Sequence, residues 1–249
     1  MKEFGLIGHP LSHSFSKSFF EEKFQREGLD NYSYHLFDIL NLSNEFPELI
    51  KNRPNLVGLN VTIPYKEQVI PFLNRLDQSA EKVGAVNVIQ IIEKELIGYN
   101  SDYYGFKNSL LEWFGSKTPP DKALVLGSGG ASKAVIAALK DLNIDYQIVS
   151  RKPNTDGQVS YEQVDLQPSL IQKHRLIINT SPVGMYPNSD ACPKIPYQNL
   201  TREHWLYDLV YNPEVTRFME LGIEQGANTK NGLEMLHLQA EKSWEIWSA

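Results

Sequence analysis

The sequence is almost free of cysteine, because Cys192 is the only one among 249 residues. An intrachain disulfide is therefore impossible, which is typical of proteins from a reducing compartment. Cys192 also lacks an obvious activating neighbour in the sequence, so it is a poor candidate for a catalytic thiol.

Long apolar runs and an excess of basic residues are missing as well. No stretch approaches the ~20 apolar residues of a membrane-spanning helix, and the apolar part of the N-terminal segment is too short for a signal peptide. With 24 basic and 30 acidic residues the net charge is -6, which argues against a general nucleic-acid binder. We expect a cytoplasmic protein that binds neither nucleic acid nor membranes.

What the sequence does contain is a regular alternation of strand-like and helix-like segments, which predicts α/β architecture with parallel strands. The predicted strands are 4–8, 32–39, 56–63, two joined by a charged turn within 83–100, 122–127, 145–150, 175–180 and 204–211. The predicted helices are 16–28, 43–52 (capped by Ser43 or Asn44), 65–76, 103–115, 128–142 and 231–247. The pattern indicates two α/β units with a hinge near 103–121, where "SKTPPD" (116–121) is the best linker candidate.

A glycine-rich turn, "VLGSGGASKA" (125–134), follows a predicted strand and opens a predicted helix. In that context glycines let the backbone approach a phosphate, and the helix N-terminus offers free N–H groups. The match to the dinucleotide-binding pattern is incomplete, since Ser132 occupies the position of the third glycine. A plain strand-to-helix turn is the alternative.

The end of the next predicted strand bears on the choice of cofactor. A site that prefers NAD usually has an acidic residue there, which binds the ribose 2′-hydroxyl. This chain instead has Ser150, Arg151 and Lys152, and a basic pair is suited to the 2′-phosphate of NADP. We therefore predict NADP, with a solvated basic loop as the alternative.

The stretch "NVTIPYK" (60–66) places polar groups around the end of a predicted strand. Val61 and Ile63 alternate with Asn60 and Thr62, as in a half-buried strand. A proline then stops the strand and begins a helix, which sets Lys66 in the first helical turn. A lysine that merely lies on a helix surface is the alternative.

Other strand ends carry small polar side chains too. Ser12 and Ser14 follow the first predicted strand, Asn87 lies in a later one, and Asn100 and Asp102 end another. Each has a structural alternative: a helix cap for the serines and for Asp102, and a satisfied buried amide for Asn87. Ligands of open α/β sheets bind at the carboxyl ends of the strands, so together these residues predict a binding site there.

The ordered motifs also resemble those of the shikimate dehydrogenase family. The resemblance is carried by "SHS" (12–14), "NVTIPYK" (60–66), "GAVN" (84–87), "GYNSD" (98–102), "GSGGA" (127–131), "NTSPVGM" (179–185), "DLVYNPEVT" (208–216) and "NGLEMLHLQA" (231–240). It implies an N-terminal α/β substrate domain, 1–102, completed by the C-terminal helix 231–249. It further implies a Rossmann-like NADP-binding domain, 103–230, with a hinge helix at 103–115 and the active site in the cleft between the domains.

The resemblance also implies roles for individual residues. Lys66 and Asp102 match the catalytic pair. The positions that hold the substrate are matched by Ser12, Ser14, Asn60, Thr62, Asn87, Tyr211 and Gln239. The positions that bind the cofactor are matched by Gly127, Ser128, Gly129, Gly130, Ala131, Ser150, Arg151, Lys152, Thr180, Leu209 and Gly232.

The implied activity is the reversible, NADP-dependent reduction of 3-dehydroshikimate to shikimate. The chain departs from the family pattern at Ser101, Ser128, Ser150 and Lys152, and its tail is rich in tryptophan. Two alternatives stay open: a relative that also accepts quinate, and a ligand-binding protein that has lost the chemistry. The retained Lys66 and Asp102 argue against the second.

Overall fold

The computed structural model describes residues 1–11, 14–153 and 157–249, and its contacts divide the chain into two compact units. Unit 1 comprises Met1–Asp102 together with Gln239–Ala249, and unit 2 comprises Tyr103–Leu238. Each unit is built on a six-stranded sheet with helices, so the predicted α/β class is confirmed. Among the described residues, no helix has both the length and the apolar character needed to cross a bilayer.

Unit 1 contains a mixed sheet with the strand order β2-β1-β3-β5-β6-β4. Its strands are β1 (Lys2–Gly8), β2 (Tyr32–Asp38), β3 (Leu56–Val61), β4 (Arg75–Leu76), β5 (Val88–Ile92) and β6 (Glu95–Tyr99). Its helices are α1 (Phe15–Arg26), α2 (Leu42–Asn52), α3 (Tyr65–Gln68) and α4 (Gln78–Val83). Only β5 runs antiparallel to its neighbours. The carboxyl ends of the other five strands and the amino end of β5 therefore meet at one edge of the sheet.

The antiparallel strand is an exception to the parallel arrangement that the alternation predicted, and it belongs to the pair of strands predicted on either side of the charged turn. Strands β5 and β6 form a hairpin closed by Glu93 and Lys94, which have φ angles of 49° and 73°. Positive φ at both turn residues matches the right-handed twist of the paired strands. The hairpin brings the residue before β5 and the residues after β6 to the same sheet edge.

Helix α3 is much shorter than the predicted helix 65–76. It ends at Gln68 and is followed by a 3-10 turn, Ile70–Phe72, and then by β4. Pro71 explains the early end, since proline has no N–H to continue the ladder and its ring clashes with the carbonyl four residues earlier.

Helix α2 begins one residue before its predicted start. Its cap is Asn41, whose side chain accepts a hydrogen bond from the Asn44 amide at 3.2 Å, and the predicted caps Ser43 and Asn44 lie inside the helix. Asparagine is among the strongest capping residues, so the chain uses the first good cap available.

Unit 2 contains six parallel strands in the order β12-β11-β10-β7-β8-β9. The strands are β7 (Lys122–Leu126), β8 (Asp145–Ser150), β9 (Gln158–Ser160), β10 (Leu176–Asn179), β11 (Trp205–Asp208) and β12 (Asn228–Lys230). The helices that lie wholly or partly in unit 2 are α5 (Ser101–Phe114), α6 (Gly130–Asp141), α7 (Tyr161–Leu166), α8 (Ser169–Lys173), α9 (Arg217–Glu224) and α10 (Leu233–Ser248). Counted from β7, this is the 3-2-1-4-5-6 order of dinucleotide-binding sheets, with its switch point between β7 and β10.

The boundary between the units falls inside two helices, α5 and α10. The segment 116–121 joins α5 to β7 within unit 2 and does not separate the units. Residues 231–238 also belong to unit 2, where Glu234 pairs with Lys230 at 2.6 Å and accepts a hydrogen bond from Ser109 at 2.6 Å. The part of α10 from Gln239 onward belongs to unit 1.

Candidate active site

An ion pair between Lys66 and Asp102 lies at the edge of the unit 1 sheet where the strand ends meet. Lys66 is in α3, directly after β3, and Asp102 is in the first turn of α5, directly after β6. Lys66 Nζ donates to Asp102 Oδ2 at 2.6 Å, and the two side chains are 30% and 20% exposed. Helix α5 begins at Ser101, so Asp102 lies inside its first turn and is not the N-cap of a helix that starts at 103. A short, charge-assisted bond with partial access to solvent suits a group that exchanges protons with a ligand.

Three of the buried amide side chains of the same unit, those of Asn60, Asn87 and Gln239, are each held by a hydroxyl. Asn87 Oδ1 accepts from the Ser101 amide at 2.6 Å, and Asn87 Nδ2 donates to Ser101 Oγ at 3.0 Å. Ser101 Oγ in turn donates to Gln239 Oε1 at 3.2 Å. Asn60 Oδ1 accepts from the Tyr34 hydroxyl at 2.7 Å. Asn87 was predicted to lie inside a strand, and that prediction is wrong. It directly precedes β5, which begins at Val88.

The remaining predicted substrate residues come from different elements of the chain. Ser14 caps α1, because its Oγ accepts a hydrogen bond from the Lys17 amide at 3.4 Å, as the capping alternative predicted. That bond does not use the hydrogen of the Ser14 hydroxyl. Thr62 follows β3 and is half-buried. Tyr211 belongs to unit 2, in the loop after β11, and is 41% exposed. Ser12 lies outside the described residues.

The glycine turn of unit 2 leaves open space at the start of α6. Gly127 follows β7 and has a φ of 118°, a conformation that favours glycine, and a Cβ there would lie 2.9 Å from Thr180 Oγ1. A Cβ at Gly129 or at Gly130 would meet no atom within 4 Å. Ala131 follows in the first turn of α6. Free helix N–H groups beside open space fit the diphosphate of a dinucleotide.

The basic strand end lies next to this turn. Ser150 ends β8, and its hydroxyl is 3.3 Å from that of Ser128 in the glycine turn. Arg151 and Lys152 follow and are both exposed. Two cations beside the glycine turn fit the additional phosphate of NADP better than a ribose hydroxyl alone.

Leu209 and Gly232 form a close backbone contact in unit 2. The Gly232 amide donates to the Val210 carbonyl at 3.2 Å, and a Cβ at Gly232 would overlap the carbonyl oxygen of Leu209. Glycine is required at 232 because the backbones of Leu209 and Gly232 are in contact. The residue is therefore explained by backbone packing as well as by any ligand contact.

A buried carboxylate, Asp208, was missed by the sequence reasoning. It is fully buried at the end of β11, where Oδ1 accepts from Asn179 Nδ2 at 2.9 Å and from the Val210 amide at 3.0 Å. Oδ2 accepts from Thr216 Oγ1 at 2.6 Å. Burial raises the pKa of Asp208 to about 6, and these hydrogen bonds oppose that rise. An acidic residue that ends an otherwise apolar strand was the available signal.

We expect Asp208→Asn to flatten the dependence of stability on pH. The folded carboxyl binds its proton more tightly than the unfolded one, whose pKa has the ordinary value of 3.8. The free energy of unfolding therefore falls as pH rises from about 4 to about 6, and Asp208 adds no further change above that range. The shift corresponds to at most about 3 kcal/mol.

The measurement is chemical denaturation at pH 4.5 and at pH 7 for both proteins. The parent should lose more stability than the variant across this interval. The exposed Asp165→Asn is the matched control in unit 2 and should follow the parent. Parallel curves for the parent and Asp208→Asn would contradict the expectation.

A family model and the sequence of a curated protein both relate this chain to shikimate dehydrogenases. Residues 6–89 match the family model described as the shikimate dehydrogenase substrate binding domain. A shikimate dehydrogenase (NADP(+)) of Methanococcus maripaludis is 37% identical, with coverage of 99% of this chain and 91% of the relative.

Solved structures are similar over the whole chain. A Listeria monocytogenes shikimate 5-dehydrogenase in complex with shikimate and NAD has a TM-score of 0.88 at 30% identity, covering 100% of this chain and 92% of its own. A Thermus thermophilus shikimate 5-dehydrogenase in complex with NADP(H) and shikimate has a TM-score of 0.83 at 30% identity. The match covers 100% of this chain and 94% of the Thermus thermophilus chain. These similarities confirm the resemblance that the motifs carry.

Proposed function

Because this chain belongs to the shikimate dehydrogenase family, we propose that it catalyses the reversible, NADP-dependent reduction of 3-dehydroshikimate to shikimate. The observation that carries this proposal is the bond between Lys66 and Asp102 at the sheet edge of unit 1. A chain that had kept the fold and lost the chemistry would have no reason to hold a lysine and a carboxylate together at that edge.

We assign the substrate to unit 1 and the cofactor to unit 2. Unit 1 supplies the ion pair and the buried amides, and unit 2 supplies the glycine turn, the basic strand end and the strand order of a dinucleotide-binding sheet. In this assignment the substrate domain is 1–102, completed by the part of the C-terminal helix from Gln239 onward. The NADP-binding domain is 103–230 together with the following residues up to Leu238, and the helix at 103–115 is the hinge.

Lys66 is the proton donor in the proposed mechanism. NADPH, when bound, would supply the hydride that the carbonyl carbon accepts. As the carbonyl becomes an alkoxide its oxygen needs a proton, and the Lys66 ammonium group gives one. Asp102 holds the Lys66 side chain at a fixed position and can accept a hydrogen bond from a neighbouring substrate hydroxyl. In the reverse direction Lys66 takes the proton back.

The other substrate contacts are hydrogen bonds to the hydroxyls and the carboxylate. We assign the hydroxyls to the amides Asn60, Asn87 and Gln239, together with Thr62. The carboxylate is assigned to hydroxyl groups that can donate, those of Ser12, Ser14 and Tyr211. The Ser14 hydroxyl can serve both purposes, because a hydroxyl accepts from the helix amide while it donates its own hydrogen.

NADP would be held by the open turn and the basic strand end of unit 2. We assign its diphosphate to Gly127–Ala131 and its 2′-phosphate to Ser150, Arg151 and Lys152. Thr180, Leu209 and Gly232 are assigned to the nicotinamide side. The solved relatives contain NAD in one case and NADP(H) in another, so the basic pair is what favours NADP in this chain.

The proposed function is tested by following NADPH absorbance with the purified protein. Shikimate and quinate are each supplied with NADP and with NAD. The proposal expects the highest kcat/KM for shikimate with NADP. Turnover of quinate at a similar kcat/KM would broaden the assigned substrate, because excluding one extra hydroxyl requires a pocket built against it. No turnover with either substrate would overturn the proposal.

Arg151→Ala is expected to raise the KM for NADP by roughly tenfold or more, because a hydrogen bond to a charged group contributes ~1.5–3 kcal/mol. The KM for NAD should stay nearly constant, since NAD has no 2′-phosphate. Steady-state kinetics with both cofactors give the comparison, and the exposed Arg202→Ala in the same unit is the control. Equal kcat/KM for NADP and NAD in the parent protein would contradict the assignment.

A further inference from the structure

Ser243 is a fully buried serine on α10 whose hydroxyl joins the polar side chains of unit 1. It lies one helical turn after Gln239, and its Oγ donates to the Gln239 carbonyl at 2.8 Å. The same oxygen accepts from Asn60 Nδ2 at 3.1 Å and lies 3.2 Å from Ser101 Oγ. One hydroxyl from the end of the chain therefore contacts groups from β3, α5 and its own helix.

The contacts of Asn60 determine which hydrogen bonds it can still make. Its Nδ2 donates to Ser243 Oγ and, at 3.4 Å, to the Asn87 carbonyl, so both amide hydrogens are used within the protein. Its Oδ1 accepts from the Tyr34 hydroxyl, which leaves one lone pair of that oxygen for another donor. Two contacts oppose the other orientation of the amide. Oδ1 would then face the carbonyl oxygen of Asn87, and it would also face Ser243 Oγ, whose hydrogen is already donated to the Gln239 carbonyl.

The surroundings make this orientation rigid. Tyr34 and Ser243 are both buried, and Asn60 itself is only 6% exposed. A buried polar group that lacks a hydrogen bond costs free energy, so the bonds of Asn60 with Tyr34 and Ser243 stabilise one orientation of the Asn60 amide. Removing the Ser243 hydroxyl frees one Asn60 hydrogen and removes the shorter of the two contacts that oppose rotation of the amide, so only the 3.4 Å contact with the Asn87 carbonyl is left.

We propose that Ser243 is a positioning residue, which orients the Asn60 side chain so that Oδ1 accepts a hydrogen bond from a substrate hydroxyl. The inference rests on the proposed function, because it takes Asn60 as a substrate contact. Ser243 itself touches no substrate atom. Its effect is on the affinity for a hydroxylated ligand and passes through Asn60.

The test measures the dissociation constant of shikimate by titration calorimetry, together with KM and kcat. Ser243→Ala should raise the dissociation constant and the KM for shikimate roughly threefold to tenfold, the range of one net hydrogen bond. kcat should change less than threefold, and the KM for NADP should stay constant. In an Asn60→Ala background, Ser243→Ala should add less than a twofold change, because the two residues act through one contact.

Ser109→Ala is the matched control. Ser109 is also fully buried, but its hydroxyl bonds to Tyr207 and Glu234 in unit 2. It should lower stability in a similar way without changing the affinity for shikimate. If Ser243→Ala does not fold, Ser243→Cys replaces it, because a thiol has a similar shape and is a weak hydrogen-bonding group.

The outcomes separate this inference from the proposed function. A parent that binds shikimate without turnover overturns the function and leaves the inference standing. A parent that turns over shikimate, with a folded Ser243 variant within twofold of its dissociation constant, overturns the inference alone. An undiminished effect of Ser243→Ala in the Asn60→Ala background also overturns it. A parent that does not bind shikimate overturns both.

Discussion

Lys66→Ala is expected to lower kcat by ~10²–10⁴-fold, the usual contribution of a positioned proton donor. The KM for shikimate should change much less, because the proton is needed in the transition state and adds little to ground-state binding. The reason is structural: Lys66 Nζ is held 2.6 Å from the Asp102 carboxylate, at the sheet edge where the amides also lie.

The pair should also behave as a unit. Asp102→Ala is expected to lower kcat, and the double variant should be far less impaired than the product of the two single effects. Each variant is checked for folding by circular dichroism before its kcat is measured. Lys82→Ala, which changes an exposed lysine of unit 1, is the control and should match the parent. A folded Lys66→Ala with a kcat within threefold of the parent would remove Lys66 from the mechanism.

Trp247→Ala is expected to cost about 3–5 kcal/mol of unfolding free energy, the usual loss for truncating a buried aromatic residue. Trp247 is 5% exposed, and its ring centroid lies 5.0 Å from those of Phe4 and Phe20. Its Nε1 donates to the Ile89 carbonyl at 3.0 Å, and that bond would be lost as well. Gly58 lies directly beneath the indole, where any Cβ would overlap the ring.

Denaturation followed by circular dichroism measures this loss, because removing a tryptophan would alter a fluorescence signal. Trp247→Phe keeps most of the ring and loses the N–H, so its loss should be intermediate. Leu40→Ala, at a position 75% exposed in the same unit, should change stability by less than about 0.5 kcal/mol. A Trp247→Ala variant as stable as Leu40→Ala would show that the end of α10 does not stabilise unit 1.

This role also accounts for the tryptophan-rich tail. Trp244 and Trp247 pack against Phe4, and Trp244 also packs against Phe24, so the last helix completes an aromatic cluster formed by β1 and α1. The sequence showed the tryptophans only as a departure from the family pattern. Their purpose depends on partners more than two hundred residues away in the chain.

The amino-acid sequence by itself determined the features that depend on neighbours in the chain. The two periodicities predicted the main strands and helices, the charged turn at 93–95 predicted the hairpin, and the glycine turn predicted the start of α6. Several polar residues could be assigned to one sheet edge, because parallel strands end on the same side. The helix predicted over 65–76 was wrong, although Pro71 carried a local signal for its early end.

Only the tertiary structure decided which distant side chains hold that edge in place. Asn60 is joined to Tyr34 and to Ser243, which are 26 and 183 residues away. The division of α10 between the two units, and the burial of Asp208, likewise depend on partners elsewhere in the chain. Local propensity and spacing describe what a segment can form, whereas a buried polar group needs a particular partner. That partner is supplied by packing, and nothing in the neighbouring sequence names it.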